Sequence, residues 1–172
     1  MELEKKSIKE RKFNIKLYEK IFNITKKPEK ILDLGCGLNP LYFPYKYIYY
    51  IATDVDKGIL KKVKKHFRKN KIKGEVFYLD ITDLDEIKKL NEVDVVFIFK
   101  VFDIFKKNKK LATDVIRNLK TNFIVVSFAI KTTYGKIMKK PKRKWFENIL
   151  KKLGYSFKVL KFYNEMFYII EK

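Results

Sequence analysis

At 172 residues, with 47% hydrophobic and 35% charged side chains, the chain is long enough to bury the core of one ordinary domain. Its 41 Lys and Arg against 20 Asp and Glu leave a net charge of +21, more than an enzyme of small neutral metabolites needs. Such a field suits a polyphosphate partner, nucleic acid or an anionic membrane surface, unless it only reflects a Lys-rich, Ile-rich thermophilic composition.

A single cysteine, Cys36, excludes an intramolecular disulfide, and a single histidine, His66, excludes a histidine-built metal site, so no metal is expected. Residues 1–6 are charged and lack the apolar core of a signal peptide. The longest apolar run, 93–105, is broken by Asp94, Lys100 and Asp103 and is too short to span a bilayer. A cytoplasmic, monomeric protein with no membrane partner is expected.

In chain order, residues 3–25 carry Phe13, Leu17 and Ile21 at helical spacing, one amphipathic helix that Pro28 ends. Residues 30–34 form a short apolar run, a buried strand that breaks at Gly35-Cys36-Gly37. Glycines tolerate positive φ and let backbone N–H groups come close to a ligand. Asp33 stands just before the turn, where a carboxylate can face a cationic amino group, and Asn39-Pro40 punctuates the loop.

An irregular or short helical segment over 41–45 leads to a second strand over 47–52, which ends at Thr53-Asp54-Val55-Asp56. Asp54 lies about 20 residues past the turn, where an acidic side chain can accept both ribose hydroxyls. Asp56 either competes for that role or caps the next helix. That helix, 57–71, has a strongly basic outer face, and His66 within it is expected to be exposed and without a role.

A third strand over 75–79 ends at Asp80, with Asp80 in the loop and Thr82 or Asp83 available as a helix cap. A helix over 84–90 precedes strand 93–99, whose nearly continuous apolar character suits a central parallel strand buried on both faces. Lys100 at its end either orients a base or phosphate or is a solvated exit residue. A helix over 105–119 and a fifth strand over 123–128 follow.

The polar, basic continuation with Lys131, Tyr134 and Lys136 suits a stacked base and a phosphate, or is a connection with incidental lysines. The densest positive stretch is Lys136, Lys139, Lys140, Lys142, Arg143 and Lys144, the best candidate for RNA contact. A helix starting at Trp145 is capped by Gly154, and strands over 155–160 and 165–170 close the chain as a hairpin.

The stretch Leu32-Asp33-Leu34-Gly35-Cys36-Gly37-Leu38-Asn39-Pro40 resembles the first motif of class I S-adenosylmethionine-dependent methyltransferases. In its longer form it is similar to the 16S ribosomal RNA guanine-N7 methyltransferases that confer aminoglycoside resistance. Ser7-Ile8-Lys9-Glu10-Arg11 resembles the Ser-x-x-Glu-Arg upstream of that motif, and Phe99-Lys100 the start of a Phe-Lys-Leu-Leu-Pro stretch. Val126-Ser127-Phe128 with Gly135, and Trp145-Phe146-Glu147, also match. Asp103 replaces the proline, Ile130-Lys131 replaces a Thr-Arg pair, and only residues 1–28 precede the first strand, where the resistance enzymes carry a longer helical subdomain. The Asn/Asp-Pro-Pro-Tyr motif of amine-methylating enzymes is absent.

The resemblance implies an α/β, Rossmann-like class I methyltransferase fold: a seven-stranded, mostly parallel sheet with a C-terminal antiparallel hairpin and a short N-terminal helical extension. It implies one domain over 1–172, with 1–28 as the extension and 29–172 as the catalytic core. It further implies S-adenosylmethionine as cofactor, with Arg11 on its carboxylate and Asp80 on its adenine amino group. Asp33, Gly35, Cys36, Gly37, Asp54, Ile81 and Lys100 complete that set, and Lys100 and Ser127 stand at the chemistry. The expected partner is RNA, ribosomal by resemblance, along Lys131, Tyr134, Lys136, Lys139, Lys140, Lys142 and Arg143. The expected reaction is methyl transfer to guanine N7. The alternatives are methylation of tRNA or another RNA, a non-catalytic RNA-binding protein that keeps the fold, and a small-molecule methyltransferase.

Overall fold

Burial on both faces shapes the strands of the computed structural model, which describes residues 15–130 and 141–172. β1 (Lys30–Leu34) is buried from Ile31 to Leu34 and β4 (Val95–Phe99) is apolar throughout, because each is covered on two sides. They pair in parallel and are flanked by β2 (Tyr49–Asp54) and β3 (Gly74–Tyr78) on one side and β5 (Phe123–Ala129) on the other. The hairpin β6 (Ser156–Phe162) and β7 (Glu165–Glu171) adds antiparallel strands, giving a seven-stranded sheet of order β3-β2-β1-β4-β5-β7-β6.

Alternate side chains feed two cores. Ile31, Tyr50, Val95 and Phe97 pack under α1 (helical through residue 25) and α2 (Lys57–Asn70). Leu32, Leu34, Val96 and Ile98 pack under α3 (Leu84–Lys89), α4 (Lys109–Asn118) and α5 (Lys144–Leu153). The described part of α1 buries Leu17, Tyr18, Ile21 and Phe22, the spacing of a single helical stripe.

Several boundaries differ from the sequence expectation. The helix expected over 105–119 is two elements: a 3₁₀ helix, Phe102–Lys107, and α4, whose first turn is capped by the Asn108 side chain accepting from Leu111 N–H at 3.0 Å. β2 starts two residues later than expected and runs through Asp54. The closing hairpin is tighter, since Phe162 pairs with Glu165 and leaves only Tyr163-Asn164 to turn. His66 is half-buried rather than exposed, its Nδ1 lying 3.2 Å from Asn70 Nδ2.

The chain moves from β1 to β2 and β3 in one direction, then crosses to β4 and β5 in the other. The carboxyl ends of β1 and β4 are therefore the switch point, where an open α/β sheet leaves a crevice.

Candidate functional site

The turn after β1 is built around two glycines in the left-handed region, with φ of +66° at Gly35 and +52° at Gly37. Their reasons differ. A Cβ on Gly35 would meet Val101 Cγ2 at 2.6 Å, so close packing fixes that residue. A Cβ on Gly37 would meet nothing within 4 Å, so only conformation demands glycine there and its outer side is open.

The carboxyl end of β2 holds this turn in place. Cys36 N–H donates to the Thr53 carbonyl at 2.8 Å, and Gly37 N–H donates to Asp54 Oδ2 at 2.9 Å. Asp54 Oδ1 accepts from Asp56 N–H at 2.9 Å. Asp56 itself is the cap of α2, accepting from Gly58 and Ile59 N–H, which separates the two candidate acids.

Behind the turn lies a polar network that sequence reasoning did not find. Asp33 Oδ2 accepts from the Tyr50 hydroxyl at 2.5 Å and from Asn39 Nδ2 at 2.9 Å, while Asn39 Oδ1 accepts from the Tyr18 hydroxyl at 2.7 Å. Asp33 Oδ1 is buried and has no hydrogen-bond partner among the described residues. Burial, only partly offset by the Tyr50 and Asn39 bonds, pushes the Asp33 carboxyl up to about 6, with Asp54 adding repulsion. Burial and the nearby Asp33 charge also push the Tyr18 and Tyr50 hydroxyls up, so both stay protonated donors. The Cys36 thiol is driven up by burial first, then by Asp33 and Asp54, which leaves it unreactive as a nucleophile.

In front of the turn opens a cleft of about 510 Å³ between the glycines, the end of β4 and the β6–β7 hairpin. Leu38, Tyr42 and Tyr163 line it and are substantially exposed. Lys100 lines it too, in the left-handed region at φ +60°, an uncommon conformation for a lysine. Its N–H donates to the Ser127 carbonyl at 3.0 Å and lies 3.2 Å from Ser127 Oγ, and its Nζ lies 3.3 Å from Glu165 Oε1. Ser127 is fully buried, and its hydroxyl donates to Glu165 Oε2 at 2.7 Å. Ser127, expected at the chemistry, hydrogen-bonds Glu165 and contacts the Lys100 backbone, and it does not line the cleft. Glu165 was not foreseen; its only sequence signal is a lone acid at the head of an apolar strand.

At the end of β3, Asp80 Oδ1 accepts from both Thr82 N–H and Thr82 Oγ at 2.8 Å, while Asp83 caps α3. Asp54 pairs with Tyr78 across β2 and β3, so Asp54 ends β2 while Asp80 follows the end of β3 by two residues. Ile81, expected to line the cofactor site, is buried with Leu79 and Ile87 in the core.

Arg143, expected among the RNA contacts, is engaged within the fold. Its Nε and Nη2 donate to the two Asp103 oxygens at 3.0 Å each, and Nη1 donates to the Pro141 carbonyl at 2.8 Å. Its guanidinium also stacks 5.1 Å from the Phe128 ring centre and is nearly buried, so it staples the segment before α5 to β5. Lys142 is exposed. Arg11, Lys131, Tyr134, Lys136, Lys139 and Lys140 lie outside the described residues. Among the described residues no group of three His, Cys, Asp or Glu could hold a metal ion, and no helix is long and apolar enough to cross a membrane.

A family model described as ribosomal RNA methyltransferase (FmrO) matches residues 4–169. A 16S rRNA (guanine(1405)-N(7))-methyltransferase of Proteus mirabilis is 29% identical over 167 residues, covering 91% of this chain and 58% of the relative. The enzyme of the same name from Micromonospora echinospora is 26% identical over 162 residues, covering 90% of this chain and 58% of the relative. The chain thus spans under two thirds of either relative's length. The solved structure of the 16S rRNA methylase ArmA superposes with a TM-score of 0.74 at 27% identity, over 96% of this chain and 86% of that one. The sheet, its order and its closing hairpin are those of a Rossmann-like methyltransferase.

Proposed function

This chain belongs to the ribosomal RNA methyltransferase (FmrO) family, and from that premise we propose that it transfers a methyl group from S-adenosylmethionine to a guanine N7 of ribosomal RNA. The observation that carries the reading is the open side of Gly37 beside the cleft, with the Gly37 N–H held by Asp54. An acid that fixes the turn and still has lone pairs to offer suits a ribose whose base lies toward Asp80.

The donor set fits a cationic, amino-acid-bearing nucleoside. Asp33 brings a buried acceptor oxygen with no partner among the described residues, next to the glycines. Asp54 at the end of β2 and Asp80 just past the adjacent β3 would hold sugar and adenine. By resemblance, Arg11 would hold the carboxylate. When bound, S-adenosylmethionine supplies an electrophilic methyl on a positively charged sulfur.

The chain's own share of the reaction is modest. Guanine N7 presents an in-plane lone pair and carries no proton, so no general base is needed. Approach, alignment and exclusion of water are what the protein must provide. Tyr42 and Tyr163 at the cleft rim suit a flipped base stacked between rings. Lys100, held by Glu165, is placed to orient the base or its phosphate. Lys142 and the basic segment around it would approach the RNA backbone.

Calorimetric titration with S-adenosylmethionine tests the reading. Micromolar binding by the wild type, weakened tenfold or more by Asp54→Ala, is the expected result. No heat of binding in the wild type would remove its foundation.

A further inference from the structure

Away from the cleft, α2 carries a charge pattern that neither folding nor methyl transfer explains. Lys57, Lys61, Lys64, Lys65 and Arg68 fall at intervals of four, three, one and three residues, a single stripe along the helix. Leu60, Val63 and Phe67 are buried on the adjoining face, which leaves the stripe exposed beside it. At 1.5 Å rise per residue it runs about 16 Å. The helix contains no acid, and among the described residues no ion pair neutralises any of these five cations. Like charges this close cost helix stability, so an anionic partner is the natural counterweight.

The stripe borders a groove of about 630 Å³ that ends at Tyr78, the last residue of β3, which is 56% exposed. Cations along a track with an aromatic ring at its edge are the features with which proteins hold single-stranded nucleic acid: phosphates along the groove and a base on the ring. An anionic membrane fits less well, since the apolar side of α2 is spent on the sheet and offers nothing to insert. The groove also lies beside the site: Lys57 follows Asp54 by three residues, and Tyr78 precedes Asp80 by two. It is at the β3 edge of the sheet, whereas Lys142 precedes α5 and is tied through Arg143 to β5.

We propose that the α2–Tyr78 groove binds the backbone of a single-stranded RNA segment flanking the target nucleotide. The proposal takes RNA as the substrate class from the reading above and adds a second grip on it.

The test uses the full chain and a fluorescent oligouridylate of about 10 nucleotides, with anisotropy followed across a salt series. Replacing Lys61, Lys64, Lys65 and Arg68 together by Gln, a good helix former, is expected to weaken binding at low salt at least tenfold. The slope of log K against log salt should fall by about 3, at roughly 0.7 for each phosphate no longer neutralised. Tyr78→Ala should cost about fivefold or more through lost stacking. A conservative Lys61→Arg, Lys65→Arg variant should keep both affinity and slope, which separates charge loss from misfolding.

Wild-type affinity and slope in the fourfold Gln variant would overturn the groove, as would a Tyr78→Ala that changes nothing. So would a wild type that ignores the RNA and binds phosphatidylserine vesicles. Calorimetry with S-adenosylmethionine keeps the two readings apart. RNA binding that depends on the groove in a protein without cofactor uptake sustains the groove and removes the methyltransferase. Cofactor uptake with an indifferent groove does the reverse.

Discussion

Lys100 Nζ lies 3.3 Å from Glu165 Oε1, joining the end of β4 to the start of β7 beside the cleft. The other Glu165 oxygen accepts from the buried Ser127 hydroxyl, so the carboxylate is anchored from behind and presents one charge forward. Lys100 is held in the left-handed region while it makes this contact. Such conformations persist only where surrounding structure over-determines them, and they concentrate at functional sites.

Glu165→Gln keeps an acceptor for Ser127 and removes the charge that holds the lysine. The Lys100 side chain is mostly exposed, so the pair contributes only about 0–1 kcal/mol to stability and the melting temperature should barely move. The rate of methyl transfer should fall about tenfold or more, through lost positioning. A normal rate would reduce the pair to surface electrostatics.

Asp33 predicts a pH dependence with a definite sign. Its carboxyl sits at about 6 in the fold against 3.8 ordinarily, because burial disfavours the charged form. The stability it contributes is therefore complete below pH 3.8 and is lost as pH climbs through about 6. The loss is on the order of 3 kcal/mol. Subtracting the pH profile of Asp33→Asn from that of the wild type in urea melts should expose this component. Binding of a cationic cofactor favours the ionised carboxylate, so affinity should tighten from pH 5 to pH 7 in the wild type and not in the variant.

The two glycines separate packing from ligand space. Gly35→Ala drives a methyl group into Val101 and should destabilise the fold by about 1–3 kcal/mol. Gly37→Ala meets open space, so its backbone cost is about 1 kcal/mol. Its main effect should be on cofactor affinity. Equal losses of binding in two equally stable variants would contradict this division.

How much of this was legible in the chain depends on the range of the interaction. β4 could be read because burial on both faces leaves an unbroken apolar run, whereas the bond from Gly37 N–H to Asp54 joins positions 17 residues apart that only the parallel pairing of β1 with β2 brings together. Asn108 was missed as a helix start because Phe102, Phe105 and the apolar positions of α4 share one helical spacing. Only the capping bond from its side chain divides the two elements. Glu165 acquires its meaning from the antiparallel pairing of β5 with β7, and Arg143 from an Asp103 forty residues away. No local pattern announces either.

Arg143→Ala should therefore act on the fold and not on RNA. Loss of the paired hydrogen bonds to Asp103 and of the stack on Phe128 should cost about 1–2 kcal/mol in chemical denaturation. The salt slope of RNA binding should remain that of the wild type. A drop of about one in that slope would return Arg143 to the phosphate contacts.

The most direct measurement is mass-spectrometric mapping of nucleosides in small ribosomal subunits incubated with the protein and S-adenosylmethionine. A new N7-methylguanosine in the 16S ribosomal RNA, absent when Asp54→Ala replaces the wild type, is the predicted result. Ribosomal RNA left unmodified by a protein that demonstrably binds the methyl donor would contradict the account.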